Sequence, residues 1–429
     1  MMHQQLPATQ DSEAEETVAI IGYGTAGTNA LIALRTAGYE GRILVFSHSN
    51  TLPYSPILTS YYAGGEKSYE ECFPWSSEEL KSLGAEVLSM SPVVELDPEA
   101  HMIRTNQGAF AYTKCLIATG ATPQRWDFGA GGYEPLVLRT MEDAERLKDA
   151  LTRPECRRVL VSGASMVALK TLEACLDRGL ETTLVGMNPH VLDCNALPEA
   201  ALRFEKGLRE KGVRLLLGQT IKAAKVVEDT SHPLGRQLEV AFSTGEVQHF
   251  DELAIAHGMQ CNLDFVAEGS LVVDKALVVD NCMRTSNPDV YAAGDVAQAL
   301  ELISGEKRIV GTWKNAAVQG ACAGRAMAAE LAGTKIPPEA IYQGSIATNT
   351  IAVCGTLFIS AGAMEITPHR HVEVREGEEM TVVSLYEDKA DGTQQLVGFN
   401  LVCDEDEAGS AAYDTGAMLT LRIMKSFDE

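Results

Sequence analysis

The sequence predicts an α/β fold with two dinucleotide-binding units, followed by a smaller α+β domain. An apolar, strand-type run at residues 18–21 leads into a glycine-rich turn and then into a helix-type segment. The same order of strand, turn and helix begins again at Arg158, and short strand patterns replace it from Lys335 onward. Alternating strands and helices favour parallel sheets. We therefore expect two Rossmann-like domains and a C-terminal α+β domain that closes with a helix over residues 414–425.

Length and composition are typical of a large globular chain. With 429 residues, 45% of them apolar, the chain can bury the cores of two or three domains. The polar, acidic residues 1–16 are expected to form a disordered leader, and no window has the roughly 18 apolar residues of a membrane helix. Ten scattered cysteines show no metal-type spacing and are interpreted as reduced thiols. These features favour a cytoplasmic protein without a metal site.

The acidic charge excludes two classes of partner. The formal net charge is −24 at pH 7. Nucleic-acid binding needs clustered Lys and Arg, and anionic membranes attract the same residues, so neither surface is expected as a partner. A solvated acidic surface is the plain explanation, with a basic docking partner as the alternative.

The first glycine turn carries the pattern of a dinucleotide fingerprint. Gly22, Gly24 and Gly27 follow the strand in the spacing G-x-G-x-x-G. Gly22 permits the turn, Gly24 lets a pyrophosphate approach the backbone, and Gly27 lets the helix lie close to the strand. The helix N-terminus then faces the phosphates with free N–H groups. An ordinary tight turn between a strand and a helix is the alternative.

Two features after this turn bear on the rest of the nucleotide. An acid about twenty residues beyond the glycines normally holds the adenosine ribose, but Ser47 follows the second strand here. A neutral hydroxyl gives up a charge-assisted hydrogen bond, typically about 1.5–3 kcal/mol. Residues 52–65, LPYSPILTSYYAGG, have two prolines that fix an extended backbone and aromatic side chains that could cover a flat ring. A surface loop is the alternative.

The second unit has an altered fingerprint. Aligned on Gly163, the second and third glycine positions are Ser165 and Ala168, and the next strand ends at Gly186 where an acid is expected. A Cβ at Ser165 would intrude where the pyrophosphate should lie. This domain therefore either binds a nicotinamide nucleotide or is kept for its packing with a weakened or lost site.

Four motifs in order identify a family. They are the glycine turn, ATGATP at residues 118–123, TSNPDVYAAGDVA at residues 285–297, and the segment that begins GTWKNAAVQG at Gly311. Together they resemble the pyridine-nucleotide:disulfide oxidoreductase superfamily, in the branch of rubredoxin, ferredoxin and nitrite reductases and NADH oxidases. The stretch at residues 52–65 followed by CFPW is similar to NADH-oxidising flavoprotein subunits such as that of phenylglyoxylate dehydrogenase.

The resemblance implies binding residues for two cofactors. Those implied near FAD lie at the first glycine turn, the second strand, the aromatic stretch, the crossover and the later aspartate motif: Gly22, Gly24, Thr25, Ala26, Gly27, Ser47, Tyr54, Pro56, Thr119, Gly120, Gly294, Asp295, Val296 and Trp313. Asp295 is the strongest candidate, with a helix N-cap as the alternative role. Those implied near NAD(H) or NADP(H) are Gly163, Ser165, Lys170 and Gly258.

Three departures from the family pattern change the expected chemistry. Residues 28–71 contain no cysteine, so thiol-mediated transfer at the flavin is not expected and no side chain is assigned a catalytic role. Lys170 stands where relatives have a Glu near the nicotinamide, and Gly186 removes the carboxylate that would repel a 2′-phosphate. Cys261 replaces the proline of a second G-x-x-P turn at Gly258, and we interpret it as a small buried residue.

The resemblance implies an FAD-dependent oxidoreductase subunit that passes electrons between NAD(P)H and a protein such as an iron–sulfur protein or subunit. One alternative is an FAD-containing relay or structural subunit with a non-functional nicotinamide site, and another is a stand-alone reductase or oxidase of a small acceptor. A homo- or hetero-oligomer is expected. The predicted domains are residues 17–125 with 266–334 for FAD, 126–265 for the nicotinamide nucleotide, and a C-terminal interface domain, 335–429.

Overall fold

The computed structural model describes residues 16–126, 128–129 and 131–427. Apart from Glu16, the expected disordered leader lies outside the described residues. Within them, no helix combines the length and the apolar character that crossing a membrane requires.

The first sheet has five parallel strands, and its central strand leads into the first glycine turn. Its central strand, Thr17–Ile21, is buried along its whole length because sheet neighbours and helices cover it on every side. The helices Thr25–Thr36 and Trp313–Leu331 pack closely, since a Cβ at Gly320 would lie 2.1 Å from the carbonyl oxygen of Ala26. In spatial order the strands are Val290–Ala292, Lys114–Ile117, Thr17–Ile21, Arg42–Phe46 and Glu86–Leu88.

The second sheet repeats this arrangement around the second glycine turn. Its strands are parallel and are flanked by the helices Met141–Leu151 and Met166–Asp177, with Pro198–Glu210 beyond them. In spatial order its strands are Arg214–Leu217, Glu181–Gly186, Arg158–Ser162 and Glu252–Ile255. A three-stranded antiparallel sheet accompanies it, with strands Ile221–Glu228, Arg236–Phe242 and Val247–Phe250.

Short elements connect and cover the two parallel sheets. The strand Ala121–Pro123 pairs antiparallel with Met259–Cys261, so the two crossings between the sheets lie side by side. The remaining short strands form two small sheets: Val93–Asp97, Met102–Thr105 and Gly108–Ala111; and Leu277–Val278, Ala297–Leu300 and Lys307–Arg308. The short helices are Thr59–Gly64 and Ser77–Ser82, with single 3₁₀ turns at Glu70–Cys72 and Pro338–Ala340.

The C-terminal part is a five-stranded antiparallel sheet with the helix Glu405–Lys425 against it. The sequence predicted this helix only over residues 414–425, and that start was wrong. Asp404 caps the true start by accepting hydrogen bonds from the N–H groups of Asp406 and Glu407 at 3.0 and 3.2 Å. The strands, in spatial order, are Thr348–Val353, Thr356–Gly362, Gln394–Asp404, Met380–Asp388 and Arg370–Glu376. The predicted α/β class with a C-terminal α+β part is confirmed.

Candidate dinucleotide sites

The three glycines of the first turn occupy unlike environments. A Cβ on Gly22, whose φ is +109°, would lie 2.3 Å from the carbonyl oxygen of Ala118. A Cβ on Gly27 would lie 2.1 Å from the carbonyl oxygen of Gly22. A Cβ on Gly24 would meet no atom of the described residues within 4 Å. Two glycines are therefore required by packing, whereas space above Gly24 is open.

The helix Thr25–Thr36 starts beside this space without a side-chain cap. Its N-cap residue is Gly24, which has no side chain to accept from the first N–H groups. Thr25 and Ala26 are buried behind it, and the first turn holds no acidic residue. Free N–H groups at the positive end of a helix, with open space in front, form a site that fits a pyrophosphate.

Ser47 lies at the end of the neighbouring strand and is buried. Its Oγ accepts a hydrogen bond from the N–H group of Ser49 at 3.3 Å, and its own N–H group donates to the carbonyl oxygen of Leu88. No group among the described residues accepts the hydroxyl proton, so it is available to a ligand. This arrangement fits the ribose contact that the resemblance implies.

Asp295 lies beside the strand Met259–Cys261, and its carboxylate pairs with a residue that the sequence did not reveal. Its Oδ2 accepts a hydrogen bond from the guanidinium of Arg139 at 2.7 Å. The turn is fixed because the Gly294 N–H group donates to Oε1 of buried Gln319 at 2.8 Å and Val296 is fully buried. Arg139 is a single arginine before a helix, 156 residues from Asp295, so only the fold brings the pair together.

Two aromatic side chains border the same region. Burial raises the pKa of Tyr54 to about 12, and the charges of Glu142 and Arg139 also act on it, which places this ring near the partner of Asp295. The Nε1 atom of Trp313 is buried and has no hydrogen-bond partner among the described residues. A buried N–H group without a partner is rare, and a bound ligand would account for it. Pro56 is half-buried and its carbonyl oxygen accepts from Thr59 at 2.8 Å.

The two crossings are joined by hydrogen bonds at their glycine turns. Gly120 and Gly258 both have positive φ, at +66° and +94°. The Thr119 hydroxyl donates to the carbonyl oxygen of Asn262 at 2.8 Å, and the Asn262 side-chain amide donates to the carbonyl oxygen of Thr119 at 2.9 Å. The N–H group of Asn262 donates to the carbonyl oxygen of Gly120 at 3.0 Å. These bonds hold the first and second sheets in one relative orientation.

The second glycine turn copies the first one in part. A Cβ on Gly163, whose φ is +126°, would lie 2.5 Å from the carbonyl oxygen of Ala256, which matches the relation of Gly22 to Ala118. The difference is at the helix start, where the Ser165 hydroxyl accepts from the Ala168 N–H group at 3.4 Å. This helix is therefore capped by its own side chain, and an incoming phosphate has to share that position.

Lys170 is fully engaged by neighbouring groups of the protein. It forms an ion pair with Glu173, donates to the carbonyl oxygen of Ala352 at 3.3 Å, and lies 3.9 Å from the ring centroid of Tyr61. Burial opposes its charge, but the hydrogen bond with Glu173 prevails and the pKa of Lys170 is raised. The side chain thus ties the helix Met166–Asp177 to the C-terminal sheet.

The cysteines offer no reactive thiol to this region. All ten are unpaired. Cys261 donates from Sγ to the carbonyl oxygen of Asp295 at 3.3 Å, and burial, followed by the charge of Asp295, raises the pKa of its thiol. Cys72 is buried and its thiol pKa is also raised by burial. A raised pKa keeps a thiol protonated and therefore poorly nucleophilic.

Comparison with known proteins places this geometry in a family. Residues 16–320 match the family model of pyridine nucleotide-disulphide oxidoreductases. The chain belongs to this family. Membership confirms the resemblance identified from the motifs, the oxidoreductase activity, and the pairing of FAD with a pyridine nucleotide.

Curated relatives match most of the chain at low identity. Rubredoxin-NAD(+) reductase of Pseudomonas putida is 29% identical over 324 residues, which cover 75% of this chain and 81% of the relative. The NADH-dependent phenylglyoxylate dehydrogenase subunit epsilon of Aromatoleum evansii is 26% identical over 368 residues, which cover 85% of this chain and 84% of the relative.

Solved structures share the fold. A ferredoxin reductase from Rhodopseudomonas palustris has a TM-score of 0.77 at 25% identity, covering 90% of this chain and 91% of that one. The putidaredoxin reductase–putidaredoxin complex gives a TM-score of 0.80 at 20% identity, covering 96% of this chain and 94% of that one. The agreement extends through the C-terminal sheet.

Proposed function

We propose that this chain is an FAD-dependent reductase, alone or as a subunit, that passes electrons between a nicotinamide nucleotide and an iron–sulfur protein. The observation that carries this is the repeated glycine geometry. At Gly22 and at Gly163 a Cβ would strike a carbonyl oxygen one residue beyond a neighbouring strand: that of Ala118 after Lys114–Ile117, and that of Ala256 after Glu252–Ile255. Two dinucleotide folds built alike and joined at their crossings bring two nucleotides to one interface.

The residues at the first turn fit FAD. Three features fit it: the open space above Gly24, the uncapped helix start, and the Nε1 atom of Trp313, which has no partner within the described part of the chain. When bound, FAD accepts a hydride as an electron pair and releases single electrons. The protein's own part is to bind, orient and exclude water.

We assign the predicted residues to these tasks. Gly22, Gly24, Thr25, Ala26 and Gly27 would cradle the pyrophosphate, and Ser47 would bond the adenosine ribose. The Asp295 carboxylate, held by Arg139, would accept hydrogen bonds from hydroxyl groups of the flavin ribityl chain. Gly294 and Val296 fix the turn that carries it. Thr119 and Gly120 would form the crossing between the sheets, beside the cofactor. Tyr54, Pro56 and Trp313 would border the flat ring.

The second turn would take the nicotinamide nucleotide. Gly163 and Gly258 permit its two backbone turns, and Ser165 would share the helix start with the phosphates. Lys170 would influence the nucleotide only through its charge and without direct contact, because its ammonium group is held by Glu173 and by the carbonyl oxygen of Ala352.

The nature of the acceptor is inferred from the missing thiols and from the relatives. No cysteine stands between residues 28 and 71, and the nearest thiol to Asp295, that of Cys261, has a raised pKa. Thiol relay chemistry is thus not available there. The names of relatives include rubredoxin and putidaredoxin reductases, so a small iron–sulfur partner in the cytoplasm is our proposal. The predicted domain boundaries and the expected homo- or hetero-oligomer are also part of this proposal.

A relay subunit without nucleotide binding is the second candidate. It is favoured by Ser165, whose hydroxyl already caps the helix that would otherwise receive the phosphates. In that case the second unit would serve only as a packing domain inside a larger complex.

An anaerobic titration separates the two candidates. The purified, FAD-loaded chain is mixed with NADH and then with NADPH while the flavin absorbance near about 450 nm is followed. Rapid bleaching by a nucleotide is the expected result. A flavin that bleaches only with dithionite would contradict the reductase and support the relay subunit.

A further inference from the structure

The end of the strand Glu181–Gly186 has no room for the acid that normally reads the ribose. A Cβ on Gly186 would lie 2.9 Å from the Cβ of Ala164 and 3.2 Å from Cδ2 of Leu217. In Rossmann-type units a carboxylate at this point bonds the 2′-hydroxyl of NAD. Because a larger side chain cannot enter without displacing both neighbours, any such carboxylate has to come from elsewhere.

The segment that follows the strand returns to the glycine turn and brings one. The N–H group of Leu192 donates to the carbonyl oxygen of Ala164 at 2.8 Å, which fastens the segment to the turn. Leu192 is buried, and the next residue, Asp193, is exposed beside it. The carbonyl oxygen of Asn188 accepts from the Gly218 N–H group at 2.9 Å, and its side-chain amide bonds the Asp193 carboxylate.

The segment that carries this carboxylate supplies no cationic side chain to balance it. Residues 186–195 contain no Lys or Arg. His190 is bound to buried Glu205 at 3.1 Å. A 2′-phosphate would therefore meet a negative charge with no cation in this segment, whereas a ribose hydroxyl could donate to the same oxygen.

A second acceptor stands at the same strand end. The N–H group of Gln219 donates to the carbonyl oxygen of Gly186 at 3.0 Å, and its Oε1 atom is buried without a partner among the described residues. Buried acceptors are nearly always bonded, so this oxygen is available for a donor of a ligand. A hydroxyl supplies such a donor and a phosphate dianion does not.

We propose that Asp193, positioned by Asn188, accepts a hydrogen bond from the adenosine ribose of the nicotinamide nucleotide and makes the chain select NADH over NADPH. This rests on the proposed function, because it needs a nucleotide at the second glycine turn. Most Rossmann units place this carboxylate at the strand end. Here it lies in the segment that follows the strand, at residue 193.

Calorimetric titration of the FAD-loaded chain with NAD⁺ and with NADP⁺ tests this without turnover. We expect NAD⁺ to bind about tenfold or more tightly, the size of one hydrogen bond to a charged group. In Asp193→Asn the ratio of the two dissociation constants should fall by about tenfold, and in Asp193→Arg it should invert, because a guanidinium pairs with the 2′-phosphate.

The control is Asp414→Asn, which removes one exposed acid from the C-terminal helix and should leave the ratio unchanged. A ratio unaffected by Asp193→Asn, or equal affinities in the unaltered chain, would overturn the role of Asp193 alone. Binding of neither nucleotide by the unaltered chain would overturn the proposed function together with it.

Discussion

Gly24 is the residue at which folding and cofactor binding can be separated. Its φ of −85° and ψ of −165° suit any residue, and a Cβ there meets nothing within 4 Å among the described residues. Gly27 has equally ordinary helical geometry, but its Cβ would strike the carbonyl oxygen of Gly22. The two glycines of one motif are therefore needed for different reasons.

Gly24→Ala should lose FAD without losing the fold. The free energy of unfolding of the flavin-free protein should change by about 1 kcal/mol or less, because the methyl group enters open space. Gly27→Ala should cost about 1–3 kcal/mol by overpacking. Denaturant unfolding of the stripped proteins and the flavin-to-protein ratio after reconstitution measure both effects. Full flavin content in Gly24→Ala would contradict the placement of the pyrophosphate.

Side-chain partners are the part of the site that the sequence could not predict. The glycine spacing is local, so it indicated the turns at Gly22 and Gly163 directly. Arg139 meets Asp295 only because the helix Met141–Leu151 of the second unit starts close to the aspartate turn, and no periodicity encodes that approach. Lys170 likewise meets Tyr61 and Ala352 from two other elements, whereas its partner Glu173 lies three residues along the same helix.

Small residues in the first half of the last helix make its start difficult to predict. Glycines and serine in its first half have low helix propensity, so the pattern indicated a start near residue 414. In the structure, Gly409 and Gly416 are buried, and a Cβ at Gly416 would lie 3.2 Å from Ile359. Close packing on the sheet stabilises this turn beyond what propensity supplies.

The helix Met166–Asp177 ends on an acid in an unfavourable place. Burial, then the charges of Glu173 and Glu66, raises the pKa of Asp177 to about 6, although Lys170 and Arg178 act in the opposite direction. Its position at the negative end of the helix dipole also disfavours a carboxylate. A folded-state pKa above the unfolded one means that the folded protein binds this proton more tightly. Ionisation therefore destabilises the fold as pH rises from about 4 to about 6, and the cost persists above that range.

Asp177→Asn should raise the melting temperature at pH 8, where the removed charge is a cost, and should change it little at pH 4, where the folded protein is protonated. Thermal unfolding across pH 4–8 measures the difference. The matched control is Asp149→Asn, an exposed acid on the helix Met141–Leu151, which should give no such trend. Equal gains at both pH values would show that the charge of Asp177 is not the cause.

The order of strand–turn–helix units along the chain was enough to predict two parallel sheets and a different C-terminal part. The return of the chain to the first sheet was implied by the family resemblance of the later aspartate motif, and the strand Val290–Ala292 before that motif does pair in the first sheet. How the two sheets face each other was not predictable. That orientation depends on Ala121–Pro123 pairing with Met259–Cys261, segments of three residues that carry no periodic signal.

The bonds at this crossing should set the distance between the two nucleotides. Asn262→Ala removes the hydrogen bond to the carbonyl oxygen of Thr119 at 2.9 Å and the acceptor for Thr122 at 2.7 Å, while the backbone pairing stays. We expect a loss of about 1–2 kcal/mol in stability. We also expect flavin reduction by NADH to slow by about tenfold or more, because small misplacements of reacting groups are costly.

Flavin content and the affinity for NAD⁺ should stay unchanged in Asn262→Ala, because the turns at Gly22–Gly27 and at Gly163 are not altered. The control Thr122→Ala removes only the outer bond from an exposed residue and should keep the normal rate. Stopped-flow reduction at saturating NADH compares the three proteins. If all three reduce at one rate, the side chain of Asn262 does not hold the sheets in register, and the paired strands alone must fix their orientation.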